Sequence, residues 1–118
     1  MTPEQFLANL SEHPEAIQFT DTMAVVDANY NFTPCKFING DLTNEANQNN
    51  GSCKLLAFAK LHMISKDETL HCFGDYYRQD VLAHPNNTDH QNIRNLMLYG
   101  LEGVLFESAP LTQKVPVF

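Results

Sequence analysis

The chain has 118 residues, with 14 Asp and Glu against 7 Lys and Arg, for a net charge of −7. That length supports one domain with one modest core, and 43% hydrophobic with 18% charged residues excludes bulk disorder. An acidic surface with no basic cluster repels phosphate backbones and anionic lipid, so neither nucleic acid nor membrane is expected as a partner.

The first helix is predicted from Thr2, which can cap, Pro3 at the first helical position and Gln5 closing a capping box. Phe6, Leu7 and Leu10 form its buried stripe, and Pro14 ends it. Residues Glu15 to Phe19 read equally as a helical turn or a short extended piece. A second helix starts near Thr20, with Met23, Val26 and Tyr30 on one face. Asp27 falls on that face, a candidate buried carboxylate, and is expected at the stripe's edge, tied to a backbone N–H or a lysine.

Pro34 permits strand entry and Asn39-Gly40 signals a turn, which places a short strand near residues 35–38. The run NGDLTNEANQNN, Asn39 to Asn50, reads as a polar loop without periodicity. A third helix follows from Gly51-Ser52 to Ile64. Leu55, Leu56, Phe58, Ala59, Leu61, Met63 and Ile64 surround it, so it is expected to be the central helix, buried all round.

The fourth helix has Ser65 as cap and Glu68 closing a second box, and it should run unbroken to His84 before Pro85. Its stripe is Leu70, Phe73, Gly74, Tyr77 and Val81. His71, Asp75 and Arg78 lie on one flank, Tyr76 and Asp80 on the other. In the fifth helix Thr88 caps, Gln91 closes the box, and Ile93, Leu96, Met97, Gly100 and Leu101 recur at helical spacing. Val104 to Glu107 reads as a second strand, and residues 109–118, with Pro110 and Pro116, as an extended, partly ordered tail. The expected fold class is α+β: a helix-dominated single domain over 1–108, with about five helices and a small sheet built from residues 35–38 and 104–107.

Cys35, Cys53 and Cys72 are an odd set without metal-ligand spacing, which reads as three buried thiols in a reducing compartment. No P-loop, dinucleotide fingerprint, HExxH or GxSxG elbow occurs, so the residues assign no cofactor and no metal. Chemistry is concentrated in two places. Asn and Gln side chains in the loop from Asn39 to Lys54 bring paired donors and acceptors. His71 and Asp75, at i and i+4, could act as an acid–base couple, or as part of a metal site if Asp80, His84, Glu45 or His90 converged on them. The ordinary alternative is a local ion pair extended to Arg78. The candidate functional surface is therefore Asn39, Glu45, Asn49 and Asn50 of the loop, combined with His71 and Asp75.

The strings DTMAVVDANYNFTP, NGDLTNEANQNNGSCK, LAFAKLH, HCFGDYYRQDVLAHP and TDHQNIRN resemble the HopJ family of type III effectors, over residues 2 to about 108. The resemblance implies a compact, helix-rich domain with little sheet and delivery into a host cell through a type III secretion apparatus. It carries over no catalytic residue. A helix that caps and packs from Thr2 differs from an unfolded secretion leader, so residence in the bacterial cytoplasm is the expectation from the residues, and type III export the one from the family. Two function classes follow. The leading one is an interaction module acting on a host or bacterial protein. The other is a small hydrolase-like enzyme using Asp27, Glu45, His71 or Asp75 beneath the Asn-rich loop.

Overall fold

Helix α1 (Pro3–Glu12) begins as its residues dictate. Gln5 N–H donates to Thr2 Oγ1 at 3.1 Å, Thr2 N–H donates to Gln5 Oε1 at 2.9 Å, and Phe6 and Leu10 are buried. The computed structural model describes residues 1–114, and Pro116 with the end of the expected tail lies outside the described residues. The ambiguous stretch after Pro14 resolves into one 3-10 turn, Pro14–Ala16. Helix α2 (Phe19–Asn29) starts one residue before the expected point, where Gln18 N–H donates to the Asp21 carboxylate at 2.9 Å.

Tyr30 does not continue α2. It opens strand β1 (Tyr30–Phe32), which pairs antiparallel with β5 (Leu111–Gln113), so part of the expected tail is a strand of the fold. The separate three-stranded sheet has the order β3-β2-β4, from β2 (Phe37–Asn39), β3 (Leu42–Asn44) and β4 (Val104–Phe106). The expected pairing of residues 35–38 with 104–107 is present, with Ile38 opposite Leu105. The expected loop is half sheet, however: β2 and β3 form a hairpin closed by Gly40 and Asp41. Gly40 sits at φ +62, and a Cβ there would lie 2.1 Å from the Tyr99 ring, so position and packing both require glycine.

Helix α3 (Asn50–Leu61) is the core element, with Cys53 and Leu55 through Ala59 all buried. Its expected all-round burial stops short of its end: Leu61 is 57% exposed and Met63 89%. Phe58 is fully buried, edge-on to Phe6 at 5.8 Å and to Tyr30 at 6.0 Å. All three cysteines are free and buried, and burial pushes the Cys53 and Cys72 thiols up to about 12. Those two thiols stay neutral at ordinary pH, and all three cysteines pack as small hydrophobes.

The expected long fourth helix is two pieces. Helix α4 (Lys66–His71), with the Ser65 hydroxyl accepting from Glu68 N–H at 3.2 Å, ends before Gly74. A π-helical turn, Tyr76–Val81, follows the break. Helix α5 (Gln91–Tyr99) also begins later than expected: its N-cap is His90, while Gln91 Nε2 donates to the Thr88 carbonyl in place of a Thr88 cap. The result is a helix-dominated α+β fold.

Replacing Phe58 by Ala empties the centre of this core and should cost about 3–5 kcal/mol in denaturant melts. A loss below about 1 kcal/mol would contradict the central role of α3.

Candidate functional site

A network of buried amides ties β2, β3 and α5 together. Asn39, Asn44 and Asn92 are 0%, 1% and 6% exposed. Asn92 Nδ2 donates to Asn44 Oδ1 at 3.0 Å, and Asn44 Nδ2 donates back to Asn92 Oδ1 at 3.2 Å. Asn39 Nδ2 donates to the Asn92 carbonyl at 2.8 Å and to its Oδ1 at 3.1 Å. Asn49 Nδ2 joins by donating to Asn44 Oδ1 at 2.7 Å. Asn39 Oδ1 is the buried side-chain oxygen left without a partner among the described residues.

Asn49 and His90 are the N-caps of α3 and α5. Both sit in the left-handed region, at φ 54° and 51°, and neither caps its helix through its side chain. The Asn49 amide is committed to Asn44, and the His90 ring to Asp80, with Nε2 3.2 Å from Oδ2. First-turn N–H groups ordinarily lack an intrahelical acceptor and end on the positive pole of the helix dipole; in α5 Ile93 N–H is satisfied by the His90 carbonyl at 3.0 Å.

Both first turns line one cleft of about 550 Å³, through Asn49, Gly51 and Ser52 on one side and His90, Gln91 and Asn92 on the other. Phe19, Phe73 and Tyr76 form its aromatic wall. Phe19 stacks on Phe73 at 6.2 Å and meets Tyr76 edge-on at 5.6 Å. Gly51 allows the Phe19 ring against α3, since a Cβ there would lie 2.7 Å from it.

Gly74 places Tyr76 in that wall. At φ +64 its would-be Cβ lies 2.7 Å from Phe19 N, so the chain breaks helix and passes against the start of α2. Asp75 N–H then donates to Gln18 Oε1 at 3.1 Å. The next turn is π-helical, an uncommon geometry that recurs at functional sites.

The expected surface is rearranged by this break. Asn49 lines the cleft with Tyr76, while Asp75 lines an adjoining depression beyond Tyr76 and His71 lines neither. His71 and Asp75 no longer share a regular helix face. Arg78 stands between them, with Nη1 3.2 Å from His71 Nδ1 and Nη2 3.8 Å from Asp75 Oδ1. The same guanidinium donates to the carbonyls of Pro14, Ile17 and His71, which makes this cluster a brace between segments. Asn39 is buried in the amide network, and Asn50 is the first residue of α3. Glu45 is exposed at a turn, its N–H donating to Gln48 Oε1, and lines neither depression. Asp27 is not buried: its side chain is 56% exposed and pairs with Lys54 at 2.9 Å, an exposed contact worth about 0–1 kcal/mol.

Among the described residues no cluster of three or more His, Cys, Asp or Glu could hold a metal ion, and no helix is long and apolar enough to cross a membrane. Asp89, which accepts from Arg94 Nη2 at 2.8 Å, has its carboxyl held below the usual carboxylate range by that hydrogen bond. The cleft and network residues that periodicity did not single out are Phe19, Asn44, Asn92 and the cap role of His90. Phe19 was legible only as the end of an ambiguous stretch, and Asn92 as a polar residue next to a stripe.

Residues 3–111 match the family described as HopJ type III effector protein, and the chain belongs to that family. It is similar to the crystal structure of the unknown function protein VPA0580, with 55% identity, a TM-score of 0.94, and coverage of 97% of this chain and 95% of that one. Comparison with curated proteins finds no match.

Gly74→Ala should destabilise the protein by at least about 2 kcal/mol, from left-handed strain plus contact with Phe19 backbone. Urea melts showing a loss below about 0.5 kcal/mol would mean that the break is not held by this close approach.

Proposed function

We propose that the protein is an interaction module of the effector type, exported by a type III apparatus and docking another protein through the cleft between α3, α5 and the π-helical turn. The observation that carries this reading is the cleft itself. It offers an aromatic wall, amide side chains and the first turns of two helices in one concave surface, the mix of apolar anchor and placed polar groups that binding sites use. Its two sides are tied by hydrogen bonds, one through the amide network and the other through the Arg78 brace.

The test is site-specific photo-crosslinking in bacterial cells and in host-cell extract. A benzophenone side chain at position 91, in the cleft, should give a discrete adduct with another polypeptide, and Tyr76→Ala should diminish it. The same group at position 98, which lies outside the cleft and is 76% exposed in the native protein, should give none. Equal adducts at both positions, or none at 91, would contradict the reading.

One observation favours a hydrolase-like alternative. His90 and Asp80 place an imidazole and a carboxylate 3.2 Å apart at the edge of the cleft, whose opposite side carries Ser52, and the His90–Asp80 spacing suits proton transfer. Ester or amide hydrolysis abolished by His90→Gln would move the assignment to that class.

A further inference from the structure

Tyr76 separates the main cleft from a second depression of about 310 Å³, and Phe19, Phe73 and Tyr76 line both, so the two form one trench. The second part carries two carboxylates, Asp75 and Asp80, whose side chains stay 61% and 50% exposed. We propose that this part of the trench seats an arginine or lysine side chain of a basic peptide segment, held between Asp75 and Asp80 over the Tyr76 ring. The proposal rests on the reading of the cleft as a protein-docking surface and names the chemistry of the partner.

Three features support it. The first is backbone geometry. A regular helix would set Asp75 on the His71 side, away from Tyr76 and Asp80. The break at Gly74 and the π-helical turn bring all three to one groove. The second is the balance of charge around that groove. The nearest cation, Arg78, reaches Asp75 only at 3.8 Å and spends its donors on the carbonyls of Pro14, Ile17 and His71. Arg94 is engaged with Asp89, His84 and Pro85. No lysine lines the depression. Among the described residues His90 is the basic group paired with Asp80, its Nε2 3.2 Å from Oδ2 and its ring 5.4 Å from Tyr76, which leaves the second Asp80 oxygen and the Asp75 carboxylate for an incoming cation. The third is the floor. A cation over an aromatic face gains a quadrupole attraction, and one between carboxylates gains charge-assisted hydrogen bonds. The net charge of −7 adds long-range attraction for a basic segment.

The experiment is fluorescence polarisation of the full chain with three labelled short peptides: alternating Arg and Ala, the same with Gln for Arg, and the same with Glu for Arg. The Arg peptide should bind and the other two should not, with binding weakening as NaCl rises. Asp75→Asn combined with Asp80→Asn should weaken it about tenfold, while Glu102→Gln combined with Glu107→Gln, the same charge change at exposed sites outside the trench, leaves it unchanged. Thermal melts of both double variants confirm that the fold persists. Equal losses in the two double variants would reduce the effect to net charge and overturn the proposal, as would binding of the Gln or Glu peptide at the same strength. If the Arg peptide fails while the Tyr76-dependent adduct at position 91 remains, this proposal falls and the docking reading stands. If both fail, both fall.

Discussion

Four asparagine side chains set the position of everything around the cleft. Asn39 and Asn44 come from the β2–β3 hairpin, Asn92 from the first turn of α5, and Asn49 from the cap of α3. Buried amides away from water must find partners or lose their full desolvation cost, about 1–3 kcal/mol per group. The reciprocal pair of Asn44 and Asn92 therefore locks hairpin to helix in one register, because sliding either element leaves amides unpaired. A purely apolar contact would tolerate such sliding more readily. The Asn39 oxygen stays unpartnered, which shows that the network secures this arrangement without maximising stability.

The amide lock governs one wall of the cleft, and an irregular backbone governs the other. Gly74 steps into the left-handed region and brings the chain against Phe19, and the π-helical turn then rotates Tyr76 and Asp80 toward the same groove. Asn49 and His90 take left-handed angles at the two facing helix starts. Non-glycine residues there cost about 1–2 kcal/mol each. Such strain is retained where surrounding structure over-determines it; of the four left-handed non-glycine residues among the described residues, Asn49 and His90 line this surface, while Asn47 and Met63 lie outside its lining.

Local rules were legible where one residue answers to its near neighbours. The Thr2–Gln5 box, the Ser65 cap and the stripe of Phe6 and Leu10 appear as their spacing predicts. The pairing of β2 with β4 was readable from two short runs with strand character. The signals failed where tertiary contacts overrode periodicity. Tyr30 fits the helical period of α2, yet its strand pairing with Gln113 across the chain takes precedence. Gly74 fits a core stripe by spacing, and its positive φ follows from contact with Phe19, which no local window contains. The Asn-rich run looked like a surface loop because asparagine is ordinarily a turn residue. Two of its members instead pair across the core with Asn92. Asp27 divides the outcome: its expected tie to a lysine is present in Lys54, but although it shares a nominal stripe with Val26, α2 presents it to solvent.

The family relation and the geometry meet at one surface. A chain of the HopJ type III effector family carries a cleft whose two walls are held by independent devices, and the amide lock is the one on which its position depends. The most direct test is a double-mutant cycle in urea between Asn44→Ala and Asn92→Ala. The account predicts a coupling energy of about 1–3 kcal/mol, because each side chain satisfies the other. Effects that add to within about 0.3 kcal/mol would contradict it, since the hairpin and α5 would then be held in place by something other than their shared amides.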